Sequence, residues 1–329
     1  MVSSLYEQLW NHTYWLPRVN TWSDVPTTPS QLKTALFLAP FIFLIRIFVE
    51  AFIGLGLGKL LGYHDRPYLA SVYRHISGGF LKNSRTKKIL ETFWRFAAYS
   101  FFFLFGVFAL YDKPWLYDVT QGFIAYPKHP VDDVIFWYYM MECSFYFSLL
   151  IAAPFDVQRS DSWQMFVHHL ITIGLLSFSW TINFVRIGTL ILISHDLNDI
   201  FLELCKLVRY RRRYPNLSNG LFVVFLISWI ASRLIYFPIF VVYTGIVEGP
   251  ALIQPDYEVF DFSQKPYAPR IILILLIGLM LLHIFWTVLI LKIVFKALQE
   301  GEASDIRSDS EETDSEDDRN ANKKVKKYQ

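Results

Sequence analysis

Apolar residues run along this chain in long blocks, not in short alternations. A membrane helix needs roughly 20 mostly apolar residues. Seven stretches meet or nearly meet that length, at about 36–58, 94–111, 135–153, 164–182, 185–206, 221–245 and 270–296. The second is short and aromatic (FAAYSFFFLFGVFALY). The fourth and fifth are joined by only 181–184, which predicts antiparallel neighbours. The expected fold is an all-α integral membrane protein of about seven transmembrane helices. Spans two to seven are expected to form a bundle or barrel around a hydrophobic channel. The first 35 residues are polar and lack a basic start followed by an apolar core, so no cleavable signal peptide is expected.

Composition supports this reading. Over 329 residues, 53% are hydrophobic, 18% aromatic and 18% charged, and mean hydropathy is +0.31. Soluble domains carry about 25% charged residues, which argues against a cytosolic enzyme. The two cysteines, Cys143 and Cys205, lie in apolar runs and fit neither a disulfide scaffold nor a zinc spacing. The net charge of +2 hides a split, because residues 302–318 hold nine acids and one base.

Basic residues set orientation. The connection 59–93 is rich in lysine and arginine, and Arg209, Arg211, Arg212 and Arg213 follow the fifth span. The connections 112–134 and 246–269 carry mostly acids. This alternation predicts a lumenal N-terminus and a cytosolic C-terminus. The domains expected are a lumenal arm (1–35), the first helix (36–58), a basic cytosolic loop (59–93), a six-helix membrane domain (94–298) and a disordered acidic tail (299–329). Asn11-His12-Thr13 is a glycosylation sequon on the lumenal side. The tail sets Ser308, Ser310, Thr313 and Ser315 among acids, the setting acidophilic kinases prefer. It ends with Lys326 and Lys327 at the fourth and third positions from the end, the spacing of an endoplasmic-reticulum retrieval signal.

Ionisable residues at membrane depth are costly and by default functional. On the first span, Arg46 and Glu50 are spaced i,i+4 and read as a structural pair. Arg233 and His283 stand alone on their spans and read as packing or cavity residues. The fourth and fifth spans differ. They carry His168 and His169, then His195, Asp196, Asp199, Glu203 and Lys206. Spacings of 3, 4 and 3 put Asp196, Asp199, Glu203 and Lys206 on one stripe, with His195 at its edge. His168 and Asp199 each lie about 10 Å from the cytosolic end by the helix rise. They are therefore expected to meet at one level. A carboxylate that takes one ring proton makes the other imidazole nitrogen a better base or nucleophile. A metal site is the rival chemistry, but no HxxHH, HxxxH or HExxH run is present. A third reading is a polar network that only locks two helices together.

The stretch RSDSWQMFVHHLITI followed by NFVRIGTLILISHDLNDIFLELCK closely resembles the longevity-assurance motif of the ceramide synthases. ETFWRFAAYSFFFLFGVFAL, PWLYD, WYYMMECSFYFSLL and the tail segment at 305–309 are further matches. The resemblance implies N-acylation of a sphingoid long-chain base by a fatty acyl-CoA in the endoplasmic reticulum membrane, with no cofactor and no metal. It implies that a histidine of the pair takes the acyl group. The motif residues are His168, His169, Asp196 and Asp199. His195, Asn183, Arg186, Glu203 and Asp161 are the substrate-binding candidates. The stiff, acidic connection opening with Glu248, Gly249 and Pro250 and reaching Gln254 is the candidate chain-length loop. Only about 35 residues separate the first span from the second, too few for the homeobox-like insert of many animal members, so no nucleic-acid role is expected. A homo- or hetero-dimer is compatible with the sequence. The competing functions are a proton- or lipid-coupled transporter and a non-catalytic lipid-binding protein.

Overall fold

In a computed structural model, the described residues are 7, 10–64, 66–211 and 213–300. All regular elements among them are helical. Helix α1 (Leu32–Phe48) runs on through wide π-type turns (Val49–Gly54) into Leu55–Leu60. A short amphipathic helix α2 (Tyr68–Ile76) follows. Then come α3 (Arg85–Leu110), α4 (Asp133–Ala152), α5 (Ser162–Thr181) and α6 (Val185–Arg211). Helix α7 (Pro215–Trp229) continues through wide turns (Ile230–Tyr243) that contain Pro238, and on into Thr244–Ile253. Helix α8 (Ala268–Glu300) closes the described chain.

Among the described residues, seven long helical rods run through the molecule. At one end, Tyr63 donates to the Leu207 carbonyl (2.8 Å) and Arg85 to that of Tyr210 (2.8 Å), so the two basic connections meet there. At the far end, the Tyr267 amide donates to the Tyr14 carbonyl (2.6 Å) and Lys128 pairs with Asp24 (3.1 Å). Five of the seven rods are long and apolar enough to cross a membrane: Pro29–Leu60, Arg85–Leu110, Asp133–Ala152, Pro215–Ile253 and Ala268–Gln299. Helices α5 and α6 are the other two, and they carry His168, His169, His195, Asp196, Asp199 and Glu203.

Six helices form a closed ring. Going round it, α3 packs on α6, α6 on α7, α7 on α8, α8 on α5, α5 on α4, and α4 back on α3. Helix α1 lies outside, against α4. This corrects one expectation. Helices α5 and α6 are joined by a tight turn, but each packs chiefly on other helices and they face one another across the ring. A short connection fixes adjacency at one end only.

Three boundaries also differ. Helix α3 starts nine residues earlier than its apolar block, at Arg85, with the Ser84 hydroxyl accepting from the Lys87 amide (3.1 Å). Its first turns are charged yet buried, because Glu91 lies 3.7 Å from both Arg46 and Lys87. The connection expected to begin at 246 is helical as far as Ile253. The N-terminal arm is not merely polar. Leu16 and Val25 are buried with Ile182 and Ala268, and Trp15 stacks on Phe178 with ring centroids 6.0 Å apart. The expected tail sites Ser308, Ser310, Thr313, Ser315, Lys326 and Lys327 lie outside the described residues.

Candidate functional site

The ring encloses a chamber of about 600 Å³ near its basic end. Helix α5 contributes His168 and His169, and α6 contributes Asp199, Glu203, Lys206 and Arg209. Asp161, Arg95, Arg233, His283 and Trp286 also line it. A second, narrow cavity of about 50 Å³ runs from His168 between apolar side chains of α5, α6 and α8 to Phe184, Ile187 and Ile272. His168 borders both spaces. A charged chamber therefore meets an apolar slot at one imidazole.

Aromatic rings brace the histidine pair. The His168 and His169 rings are 5.8 Å apart, and Tyr146 lies 6.4 Å from the first and 6.3 Å from the second. Trp286 meets His168 edge-on at 5.5 Å, and its indole N–H donates to Asp161 Oδ2 (3.1 Å). Both histidine Nδ1 atoms are buried without a hydrogen-bond partner in the structure. Adjacent residues on a helix point about 100° apart, yet both rings line the chamber.

The α6 stripe divides on closer view. Asp199 Oδ1 accepts from Arg233 Nη2 (3.2 Å), so its partner is a guanidinium and not a histidine. This follows from the ring order, which sets α5 across from α6 and α7 beside it. Glu203 accepts from Lys206 (2.7 Å) and lies 3.4 Å from Arg95 Nε. Asp196 is buried and faces Glu142 of α4 instead of the chamber. His195 lines the slot, with its ring 5.2 Å from His283 and 5.5 Å from Phe237.

Two substrate-binding candidates lie elsewhere. Asn183 sits in the α5–α6 turn with φ of 60° and donates to the carbonyls of Pro127 (2.7 Å) and His129 (2.9 Å). Arg186 donates to the Gln121 carbonyl (3.2 Å) and stacks over Trp115 at 4.5 Å. Both bind the 112–132 connection, whose carbonyls need donors once buried, and neither lines the chamber or the slot. In the chain-length candidate, Gly249 packs so closely on Phe123 that a Cβ would lie 2.8 Å from that ring. Pro250 is inside the helix, Glu248 is half-buried beside it, and buried Gln254 accepts from the Arg18 amide (3.3 Å). Asn11 is exposed, and its Oδ1 accepts from the Thr13 amide (3.1 Å).

Arg233 and His283, expected as packing or cavity residues, both line the chamber, whereas Glu142, Tyr146 and Trp286 were not among the expected residues. An arginine inside an apolar block was the available signal for the first. The others sit in runs where an aromatic or a single acid carries no spacing pattern.

Comparisons with known proteins place the chain in a family. The TLC domain family matches residues 88–292. Ceramide synthase hyl-1 of Caenorhabditis elegans is 51% identical, covering 92% of this chain and 83% of the relative. Ceramide synthase hyl-2 of the same organism is 36% identical over 91% of this chain and 92% of its own length. Human ceramide synthase 3 is 33% identical over 93% and 88%.

Proposed function

Because this chain belongs to the ceramide synthase family of TLC-domain proteins, we propose that it is a sphingoid-base N-acyltransferase. It moves a fatty acyl group from acyl-CoA to the amine of sphinganine or a related long-chain base. The observation that carries this reading is the position of His168 between a charged chamber and an apolar slot. CoA has a highly charged, soluble head and the acyl group an apolar tail, and the thioester joins them. A thioester whose tail enters the slot presents its carbonyl to His168.

The chemistry then runs in two steps. An imidazole nitrogen attacks the thioester carbonyl and the CoA thiolate leaves, giving an acyl-histidine. The neutral amine attacks that carbonyl, the C–N bond to imidazole breaks, and the amine proton passes to the released imidazole or a nearby carboxylate. Covalent catalysis of this kind splits one difficult step into two easier ones. Asp199 and Arg233 pair within the same chamber and supply charge of both signs there. Lys206 and Arg209 at the basic end suit the CoA phosphates.

The test is direct. Purified protein given acyl-CoA and sphinganine releases free CoA and an N-acyl product. Given acyl-CoA alone, it gains the mass of one acyl group. Undiminished adduct in the His168→Ala/His169→Ala double variant would overturn the covalent route.

We further read all seven rods as membrane spans, with the arm in the lumen of the endoplasmic reticulum and the basic end in the cytosol. The gathering of both basic connections at one end supports this. Loss of a glycosidase-sensitive mobility shift in Asn11→Gln tests it, because only a lumenal Asn11 is glycosylated.

A further inference from the structure

We infer that the N-terminal arm and Phe184 together form the stop that limits acyl-chain length at the far end of the slot. This rests on the acyltransferase reading above and goes beyond it by naming the specificity element.

The slot ends at Phe184, Ile187 and Ile272. Phe184 is half-buried, and its ring lies 4.3 Å from Tyr126 and 6.1 Å from Phe123. Phe184 and Ile272 also pack against a separate apolar cluster built of Leu16, Val25, Ile182 and Ala268. The same two side chains therefore face the slot on one side and the arm on the other. Leu16 is 1% exposed, although it lies on a segment with only short helical turns and outside the ring. With Val25, it is the buried part of the arm in the cluster against which Phe184 packs.

The arm is pinned from several directions. Tyr14 stacks on Tyr267 (centroids 5.7 Å), and the Trp180 indole donates to the Thr28 carbonyl (3.2 Å) and to Gln31 Oε1 (3.2 Å). Arg18 forms an ion pair with Asp256. Phe184 itself is fixed by the Asn183 turn, with its amide donating to the Ser179 carbonyl (2.7 Å). Close-packed interiors transmit strain and resist one extra methylene. A chain that reaches Phe184 must push it into the cluster built on Leu16, Val25, Ile182 and Ala268. A slot of about 50 Å³ has to widen for any long chain. It widens most easily where its walls are not backed, and the arm backs this end.

The experiment uses the full-length purified protein, sphinganine and an equimolar ladder of saturated acyl-CoAs, with N-acyl products read by mass spectrometry. Phe184→Ala is expected to raise the ratio of the product two carbons longer than the wild-type optimum by about 10-fold, the scale on which enzymes discriminate a methylene. Leu16→Ala, which removes atoms outside the slot, is expected to move the ratio in the same direction by about 3-fold. Should Leu16→Ala fail to fold, Leu16→Val carries the same test with one methylene removed. If wild type makes no N-acyl product, the acyltransferase reading fails. If wild type is active and Phe184→Ala keeps its length profile, the stop is overturned. If only Phe184→Ala shifts the profile, the arm's part in it is overturned.

Discussion

Asp199 Oδ1 lies 3.2 Å from Arg233 Nη2, and the same nitrogen lies 3.2 Å from the carbonyl oxygen of His195. One guanidinium thus ties the acidic stripe of α6 to α7 at the wall of the chamber. Both side chains are largely out of water, with 4% exposure for Arg233 and 18% for Asp199. Breaking a buried pair from one side leaves an uncompensated charge and costs about 3–5 kcal/mol. Arg233→Met should therefore lower stability by that order. Asp199→Asn keeps the shape without the anion and should lower turnover by about 10²-fold or more. The double variant should regain stability but not turnover. Thermal unfolding and N-acylation rates on the same preparations check this. Near-normal turnover in Asp199→Asn would make the pair purely structural.

Asn183 gives a contrasting expectation. Its φ of 60° is uncommon for any residue but glycine and tolerated by asparagine, and its amide satisfies two carbonyls of the 112–132 connection. Asn183→Ala should lose roughly 1–2 kcal/mol from the backbone alone, and more from the lost hydrogen bonds. Asn183→Gly should recover the backbone part only. Turnover per folded molecule should stay near wild type in both, because the side chain reaches neither cavity. A selective rise in KM with unchanged melting temperature would restore the substrate-binding reading.

What the sequence made legible follows from cost. His168, His169, Asp199 and Glu203 stood out because polar residues in apolar blocks need a reason, and all four line one chamber. Arg46 and Glu50 were legible through i,i+4 spacing, and their atoms are 2.7 Å apart. Ring order was not legible, because an apolar period says which face is buried and not which helix covers it. That is why Asp199 was matched by depth to a histidine when its partner, Arg233, comes from α7. Asn183 and Arg186 carried the same polar signal as the site residues, but their partners are backbone carbonyls, which leave no trace in sequence. The arm looked polar on average, and averaging hid Leu16 and Val25.

His129 supplies a pH dependence outside the spanning helices. It is 1% exposed in the 112–132 connection, and neither ring nitrogen has a hydrogen-bond partner. Burial, helped by nearby Arg186, pushes its pKa down from 6.5 to about 3. The unfolded chain takes up this proton below about 6.5 and the folded chain does not. The stability tied to neutral His129 is therefore complete above that pH and is lost as pH falls toward 3. The slope is about 1.4 kcal/mol per pH unit in that window. His129→Leu should flatten the fall in melting temperature between pH 6.5 and 4.5. An unchanged pH profile would mean that water reaches the ring.

Arg46 anchors the outer helix to the ring. Its Nε lies 2.7 Å from Glu50 Oε1, and its Nη2 lies 2.6 Å from Asp156 and 3.7 Å from Glu91. Glu50 in turn lies 3.2 Å from His75 Nε2, which brings in α2. Arg46 is thus shared by three acids, whereas Glu50 is one acid among three. The two single variants should therefore differ. Arg46→Met takes the shared guanidinium from buried Glu50 and Glu91 and from half-buried Asp156, leaving them His75, Lys87 and Arg95 as neighbours, and should cost about 3–5 kcal/mol. Glu50→Gln leaves Arg46 paired with Asp156 and Glu91, and should cost only about 1–3 kcal/mol. Adding Glu50→Met to Arg46→Met should cost little more, because the carboxylate removed has already lost its guanidinium and keeps only His75 beside it. Melting temperatures of the three variants in one detergent decide the matter. Equal losses in both single variants, summing in the double, would mean that the groups act independently and that α1 is held to α4 by apolar packing alone.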